Sequence, residues 1–433
     1  MASRAYGRQL DPFRRLKDPL GVKGKRQSVT ITHNPTTIDQ KQKVVLRFQD
    51  LANEDVIVPG TVRLAFTISL KSTDANRTLV QNLGRAIVNK IVIKISGNDV
   101  MSIDNSDMYH CYIDLWKTAQ ERKNAQYQGI DTSANRNVTK LRIGSGDGNA
   151  EVAEDSAVAG AFGNRYYIPL DFELLDSHMP FYQAALGGSL EYILTFNDYN
   201  RVIRATGDEK ANYTIENISL EFDKVNQSEL ARLIRNQYVQ HLAILFDRIH
   251  LRDMRKYDKS DSLWNFDYND EGVRSMKGIL MLFEDDAAQQ DFQRESETFY
   301  NPKIIKVKVS IDGVNNQLYD SGLHAYQQWD ETRRFFAASP GSKRHPEVAE
   351  VAKDLALADV SLGEFLTTKY ALWLDLRTTG DEQLHGNGRR IGNGISINIK
   401  KEVEAPGALN IYVYFIMDAQ LNLEDGKFKE VLY

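Results

Sequence analysis

The chain reads as mainly β: two tandem eight-stranded jelly-roll β-sandwiches, a double jelly roll, with short helices and long loop insertions. Three observations predict this. The first is a repeat. Residues 87–97, IVNKIVIKISG, alternate Ile91, Ile93 and Ile95 with polar residues and stop at Gly97; residues 303–313, KIIKVKVSIDG, do the same with Val307, Val309, Ile311 and Gly313, 216 residues later. The second is that further matches keep the same order. YYIPLDFE (166–173) answers YALWLDLR (370–377), with Asp171 and Asp375 offset by 204, and Ile218, Leu220 and Phe222 answer Ile411, Val413 and Phe415, offset by 193. Ordered matches of this kind mark a duplicated domain, and two similar β-domains in one chain point to assembly more than to chemistry. The third is polarity. Short alternating strands, separated by turns and joined by crossovers too long for hairpins, fit paired antiparallel sheets; strands of a parallel sheet would be apolar throughout.

The elements follow in order. Residues 1–33 carry no apolar periodicity and read as a basic arm that is mobile or orders on binding. The first sandwich spans 34–228. VVLRF (44–48) and TVRLAFTISL (61–70) are strands on either side of a Pro59-Gly60 turn, and 87–96 is the next strand. The period then changes: Met108, Tyr112, Leu115 and Trp116 fall on one helical face within 107–127. A long loop (128–163), a strand (165–172), a short helical stretch (174–186) and strands at 190–197 and 214–224 complete this half. The second sandwich spans 229–424, opening with a helix in LARLIRNQYVQ that gives way to a strand in HLAILFDRI. Strands follow at 276–283, 304–312, 369–376, 394–400 and 409–417. A helix at 322–336 and a polar loop at 337–362 take the places of 107–122 and 128–163, and 425–433 is a tail.

Composition limits the function classes. The 433 residues are 42% apolar, enough for sizeable cores, and the net charge of −5 gives no global attraction to polyanions. The charge is uneven. Arg4, Arg8, Arg14, Arg15, Lys17, Lys23, Lys25 and Arg26 stand against Asp11 and Asp18, so residues 1–26 carry +6 and the remainder −11. This arm fits contact with a polyanion or an acidic protein surface. Nothing in it reads bases, so contact with nucleic acid would be non-specific and salt-sensitive. Cys111 is the single cysteine, which excludes an intrachain disulfide and fits a reducing compartment. No apolar run reaches the roughly 20 residues needed to span a bilayer, and the N-terminus lacks the apolar core of a secretory signal. The Asn-X-Ser/Thr matches at Asn76, Asn137, Asn212, Asn217 and Asn226 then read as chance.

Candidates for chemistry dissolve on inspection. GSGDGN (144–149) lacks phosphate-loop spacing and reads as a surface loop; Asp147, Glu151, Glu154 and Asp155 lack EF-hand spacing for Ca²⁺. His110 and Cys111 are adjacent on a helix and point about 100° apart, so they form no base–nucleophile pair, and Cys111 reads as a small buried thiol. Eight scattered histidines give no metal-ligand spacing, and no cofactor is expected. ERKNAQYQG (121–129) reads as a solvated helix end. LHGNGRRIGNG (384–394) reads either as a strand connection or, through Arg389 and Arg390, as a contact to a neighbouring subunit.

Long blocks of the chain resemble the major capsid protein of Polinton/Maverick elements and adintoviruses. They include NLGRAIVNKIVIKISGNDVMSIDNSDMYHCYIDLWKTAQERKNAQYQGI (82–130), NRYYIPLDFELLDSHMPFYQAALGGSLEYILTFNDYNRVI (164–203), YTIENISLEFDKVNQSELARLIR (213–235), KGILMLFED (277–285), FYNPKIIKVKVSIDGVNNQLYDSGL (299–323) and LHGNGRRIGNGISINIKK (384–401). The resemblance covers most of residues 40–420. It implies a double jelly-roll lineage related to adenovirus hexon, with three chains forming a pseudo-hexameric capsomer and many capsomers an icosahedral shell around a DNA genome. It implies assembly inside the host cell, penton and minor or cement proteins as partners, and no catalysis. The arm is expected on the capsid interior, from its charge, and the loops 128–163 and 337–362 are expected as outward towers making contacts within the trimer. Two other classes make different demands on the residues. A lectin-like receptor- or carbohydrate-binding sandwich predicts exposed aromatic platforms, whereas Trp116, Trp329 and Trp373 sit in core-type patterns. A cupin-like enzyme needs two or three His and a carboxylate on paired strands, which the predicted strands do not supply.

Overall fold

The computed structural model describes residues 25–433, apart from 36, 49–50, 59, 72–77, 131–164, 169, 171–187, 205–211, 241–242, 270–271, 290–294, 317–318, 320–321, 338–359, 379–385 and 425–426. Each half is a sandwich of two antiparallel sheets. The first half uses β1 (Arg26–Thr32), β2 (Lys43–Arg47), β3 (Arg63–Lys71), β4 (Val88–Ile95), β5 (Asn98–Ile103), β6 (Arg165–Ile168), β7 (Leu190–Phe196) and β8 (Asn212–Asn226). The second uses β9 (Ala243–Asp258), β10 (Leu263–Tyr268), β11 (Val273–Asp285), β12 (Ile304–Ile311), β13 (Val314–Asn315), β14 (Ala371–Asp375), β15 (Ile395–Lys401) and β16 (Ala408–Glu424). The sheet orders are β1-β8-β3-β6 and β2-β7-β4-β5 in the first half, β9-β16-β11-β14 and β10-β15-β12-β13 in the second. With strands counted from one within each half, both halves read 1-8-3-6 and 2-7-4-5. That is jelly-roll topology, made twice.

The repeat seen in the sequence is a repeated hairpin. Ile95 pairs with Asn98 and Ile311 with Val314, which leaves two-residue turns. Their central residues, Ser96-Gly97 and Asp312-Gly313, all lie at positive φ (53°, 82°, 54° and 78°). A two-residue hairpin whose twist matches the strands requires this backbone, and glycine supplies it at the second position.

Two segments differ from the expectation drawn from composition. Residues 26–32, grouped with the arm, form β1: their Val29 and Ile31 pair with Phe222 and Leu220 of β8, so ladder hydrogen bonds hold the segment in the first sheet. Residues 427–432, grouped with the tail, form a strand on the end of β16, with Leu432 opposite Gln420. The weakly apolar pattern of both segments hid them, because an edge strand needs only one partner.

Four helices organise the join. They are α1 (Ser106–Leu115), α2 (Ala119–Asn124), α3 (Ser228–Gln240), which links the halves, and α4 (Ala325–Phe336). The helix α1 falls where the 3.6-residue periodicity places it, and α4 where the correspondence between the halves does. The apolar cores of the two halves run together into a single buried cluster.

Candidate functional site

The site that the fold builds is the seam between the halves. Strands β11 and β16 are buried on both faces. Leu280 pairs with both Trp373 and Tyr414, so these three share the outward face of their sheet. Two helices cover it. From its own half, α4 lays Phe335 on Trp373 with ring centroids 4.1 Å apart. Gly278 makes that fit possible, because a Cβ there would overlap the Trp373 ring. From the other half comes α1, in which every residue but Ile113 is buried. Its Tyr109 meets Tyr414 at 5.4 Å, and the Tyr414 hydroxyl donates to the Asn105 carbonyl at 2.7 Å. Tyr112 stands edge-on to Phe299 at 5.1 Å, and Trp116 meets Trp329 of α4 at 5.5 Å. The tryptophans are therefore packed in the seam and the cores, as the sequence periodicity indicated.

Three buried charge networks lie along the seam. In the first, Asp114 accepts from Asn82 Nδ2 at 2.9 Å, Arg85 Nε at 3.2 Å and Gln128 Nε2 at 2.5 Å, and pairs with Lys117 Nζ at 2.8 Å. Burial alone would raise the Asp114 pKa. Arg85 and Lys117 outweigh it and hold the carboxyl well below the usual carboxylate range. In the second, Thr118 and Glu121 form a capping box that starts α2. This sets Arg122 to grip Glu297 of the second half with two bonds, 3.1 and 2.6 Å, while also donating to the Asp114 carbonyl at 3.0 Å. In the third, Arg201, on the short helix Tyr199–Val202, bonds Asp107 at 3.3 Å in its own half and Glu284 at 2.9 Å and the Tyr412 hydroxyl at 3.0 Å in the other. Burial would lower the Arg201 pKa, but Glu284 and Asp107 raise it above its ordinary value.

The segment 121–129, expected to be solvated, is therefore corrected: Arg122 and Gln128 are buried polar residues of the seam. The charge pattern looked like a surface because the partner, Glu297, lies 175 residues away. A signal did exist in the partner sheet. IYVYFIM (411–417) is apolar without interruption, whereas ISLEF (218–222) alternates, and an unbroken run marks a strand covered on both sides.

Asp114 gives a pH dependence with a defined sign. Its folded pKa is depressed, so its contribution to stability is complete above the ordinary value of 3.8 and is lost as pH falls below that value toward the folded one. Chemical-denaturation midpoints should drop between about pH 4 and pH 2. Asp114→Asn should be less stable at neutral pH and show a shallower acid decline. Equal acid slopes for variant and wild type would remove this assignment.

Of the arm, only Lys25 and Arg26 fall among the described residues; Arg4, Arg8, Arg14, Arg15, Lys17 and Lys23 lie outside them. Lys25 is exposed, and Arg26 Nε donates to Asp223 Oδ2 at 2.6 Å. Arg389 and Arg390 are both exposed, in a short strand, Arg389–Ile391, paired to β11. The loop around them is held by Asp312, whose carboxylate accepts from the Gly392 and Asn393 amides at 2.9 and 2.5 Å. GSGDGN and its neighbouring acids lie outside the described residues, as do 131–164 and 338–359 of the two long loops.

Cys111 is fully buried, and burial pushes its thiol well above its ordinary pKa, which makes it a poor nucleophile. His110 Nδ1 engages Ser106 Oγ at 2.8 Å. Among the described residues no group of three His, Cys, Asp or Glu is placed to hold a metal, and no helix is long and apolar enough to cross a membrane.

No protein-family model matches the chain, and no curated protein sequence does. Solved structures do match in fold. The capsid of PBCV-1 virus aligns with a TM-score of 0.58 at 11% identity, over 96% of this chain and 99% of that one. The cryo-EM structure of the Sputnik virophage gives 0.57 at 12%, over 96% and 90%. The mavirus major capsid protein gives 0.54 at 11%, over 96% and 92%. The chain thus has the double jelly-roll fold of these capsid proteins along nearly its whole length, and the likeness at such identity is one of fold.

Proposed function

We propose that the chain is a viral major capsid protein of the Polinton/adintovirus kind. It forms homotrimers that act as pseudo-hexameric capsomers and tile an icosahedral shell around a DNA genome. The observation that carries this reading is the pair of topologically identical sandwiches, locked together by a dry, charge-clamped seam, in a chain that aligns end to end with capsid structures. Two fixed, similar blocks per chain let three chains approximate six-fold symmetry while presenting two kinds of edge. Its role is mechanical, with no catalysis and no cofactor. Penton and minor or cement proteins complete the shell. The arm residues Arg4, Arg8, Arg14, Arg15, Lys17, Lys23, Lys25 and Arg26 face the interior, where they touch DNA or an inner partner without reading sequence. The loops 128–163 and 337–362 form outward towers, and Arg389 and Arg390 pair with carboxylates of a neighbouring subunit.

Light scattering on purified protein tests the core of the proposal. One chain weighs 49.3 kDa, so a trimer weighs three times that, about 148 kDa. That mass or larger, with hexagonal outlines in negative stain, is the expected result. A monomer at every salt and protein concentration, alone and with co-expressed penton protein, would overturn it.

A further inference from the structure

Apart from the three networks of the seam, one buried cluster brings an amine against carboxyl groups. It lies on β9, β16 and β11, neighbouring strands of one sheet. Asp247 of β9 and Asp418 of β16 stand directly opposite each other in the ladder. Like charges so placed repel, and Lys277 of β11 compensates them. The β11–β16 register slips between Met276 and Gly278, which makes Lys277 the extra residue of a bulge. A bulge re-aims a side chain, and this one sets the amine between the two acids. Lys277 Nζ is 2.5 Å from Asp247 Oδ1 and 3.2 Å from Asp418 Oδ1. The Lys277 and Asp418 side chains are 6% and 8% exposed, whereas that of Asp247 is 26% exposed. Ser275 fixes the central acid: its hydroxyl donates to Asp418 Oδ2 at 2.5 Å and accepts from the Gly388 amide at 3.0 Å.

We propose that Lys277 and Asp247 join in an intramolecular isopeptide bond, with Asp418 as the proton carrier. The step needs no cofactor and no oxidant. In a nearly dry site, an ammonium beside two carboxylates gains by giving up a proton, because amine and acid are cheaper to bury than separate charges. Asp418 takes that proton from Lys277 and passes it to the Asp247 carboxyl. The amine lone pair then attacks the Asp247 carboxyl carbon, with which it is already held in contact. Asp418 takes a second proton from the nitrogen and delivers it to the departing hydroxyl. One C–N bond forms and one C–O bond breaks. Both nitrogen protons leave in a single water, and Asp418 ends as the carboxylate it was. The water departs past Asp247, the most exposed of the three. The bond ties together residues 30 apart in the chain and clamps β9 to β11 across β16, the strands that carry the second half's side of the seam. The inference stands on this cluster alone and is independent of how the chain assembles.

Mass spectrometry of the purified, denatured full chain tests it. The wild type should be lighter than its sequence by one water, and a protease digest should contain the Lys277 and Asp247 peptides joined as one branched species. Lys277→Arg should show its full sequence mass. Asp418→Asn keeps the size of the side chain but cannot carry the proton, and should cut the joined fraction at least about tenfold in protein that still unfolds cooperatively. A wild-type chain of full sequence mass overturns the proposal, whatever the variants do, and leaves the three side chains as an ion triad. A water lost elsewhere also overturns it, as in a cyclic imide at Asp312-Gly313; hydroxylamine opens such an imide and leaves an isopeptide bond intact. An Asp418→Asn chain joined as fully as the wild type overturns the role given to Asp418.

Discussion

Arg122→Met should destabilise the folded chain by about 3–5 kcal/mol, because it leaves Glu297 charged, buried and without its bidentate partner. Methionine keeps the apolar stem and removes only the guanidinium end, so the loss reports chiefly the stranded charge. The decisive measurement is the double variant. Replacing both groups with apolar ones, Arg122→Met with Glu297→Leu, removes the stranded charge and should recover most of the loss; buried pairs replaced in this way are often neutral or stabilising. Urea unfolding midpoints for the wild type, the single and the double variant give the comparison. Additive losses in the double variant would mean that the two side chains act separately and that the pair does not clamp the halves.

Trp373→Ala should cost a similar amount, about 3–5 kcal/mol, by a different cause. The ring is fully buried, pressed between Gly278 on its own sheet and Phe335 on α4. Its removal opens a cavity that the surrounding strands are too rigid to fill. Since α4 rests on this ring, proteolysis at the C-terminal end of that helix, Arg333–Phe336, should also quicken as it loosens. Trp373→Phe should retain about half of the stability or more, because an aromatic ring still fills part of the site. A loss under about 1 kcal/mol for Trp373→Ala would show that α4 is held elsewhere.

Much of this architecture was legible in the residues. The alternation in β4 and β12, ended by Gly97 and Gly313, defined matching strands, whereas the returning strands β5 and β13, short and mixed in polarity, carried no such signal. The 3.6-residue spacing through Met108, Tyr112 and Trp116 located α1. Edge strands were harder. Residues 26–32 and 427–432 bury little, so tertiary pairing and not apolar pattern makes them strands. The strand β10 was also missed: it buries Trp264, Phe266 and Tyr268 on one face, but its polar alternates Asn265 and Asp267 resemble a turn. The seam was hardest, because its charged members make sense only through partners far away in the chain. Arg122 with Glu297 and Arg201 with Glu284 could not be paired by any local rule, although the unbroken apolar run of β16 showed that something covers that sheet.

The full burial of α1 also has a consequence in time. The first sandwich ends at Asn226 and β16 at Glu424, so synthesis at about 5–20 residues per second completes β16 roughly ten to forty seconds later. Throughout that interval α1 holds Tyr109 and Tyr112 ready for a surface that does not yet exist, while the β8–β3 face, with its arginines and carboxylates, is already compatible with water. The half made first has a wet sheet face, and the dry sheet face belongs to the half made last. The sheet that is apolar on both faces therefore emerges only after the elements that cover it from the first half have been made.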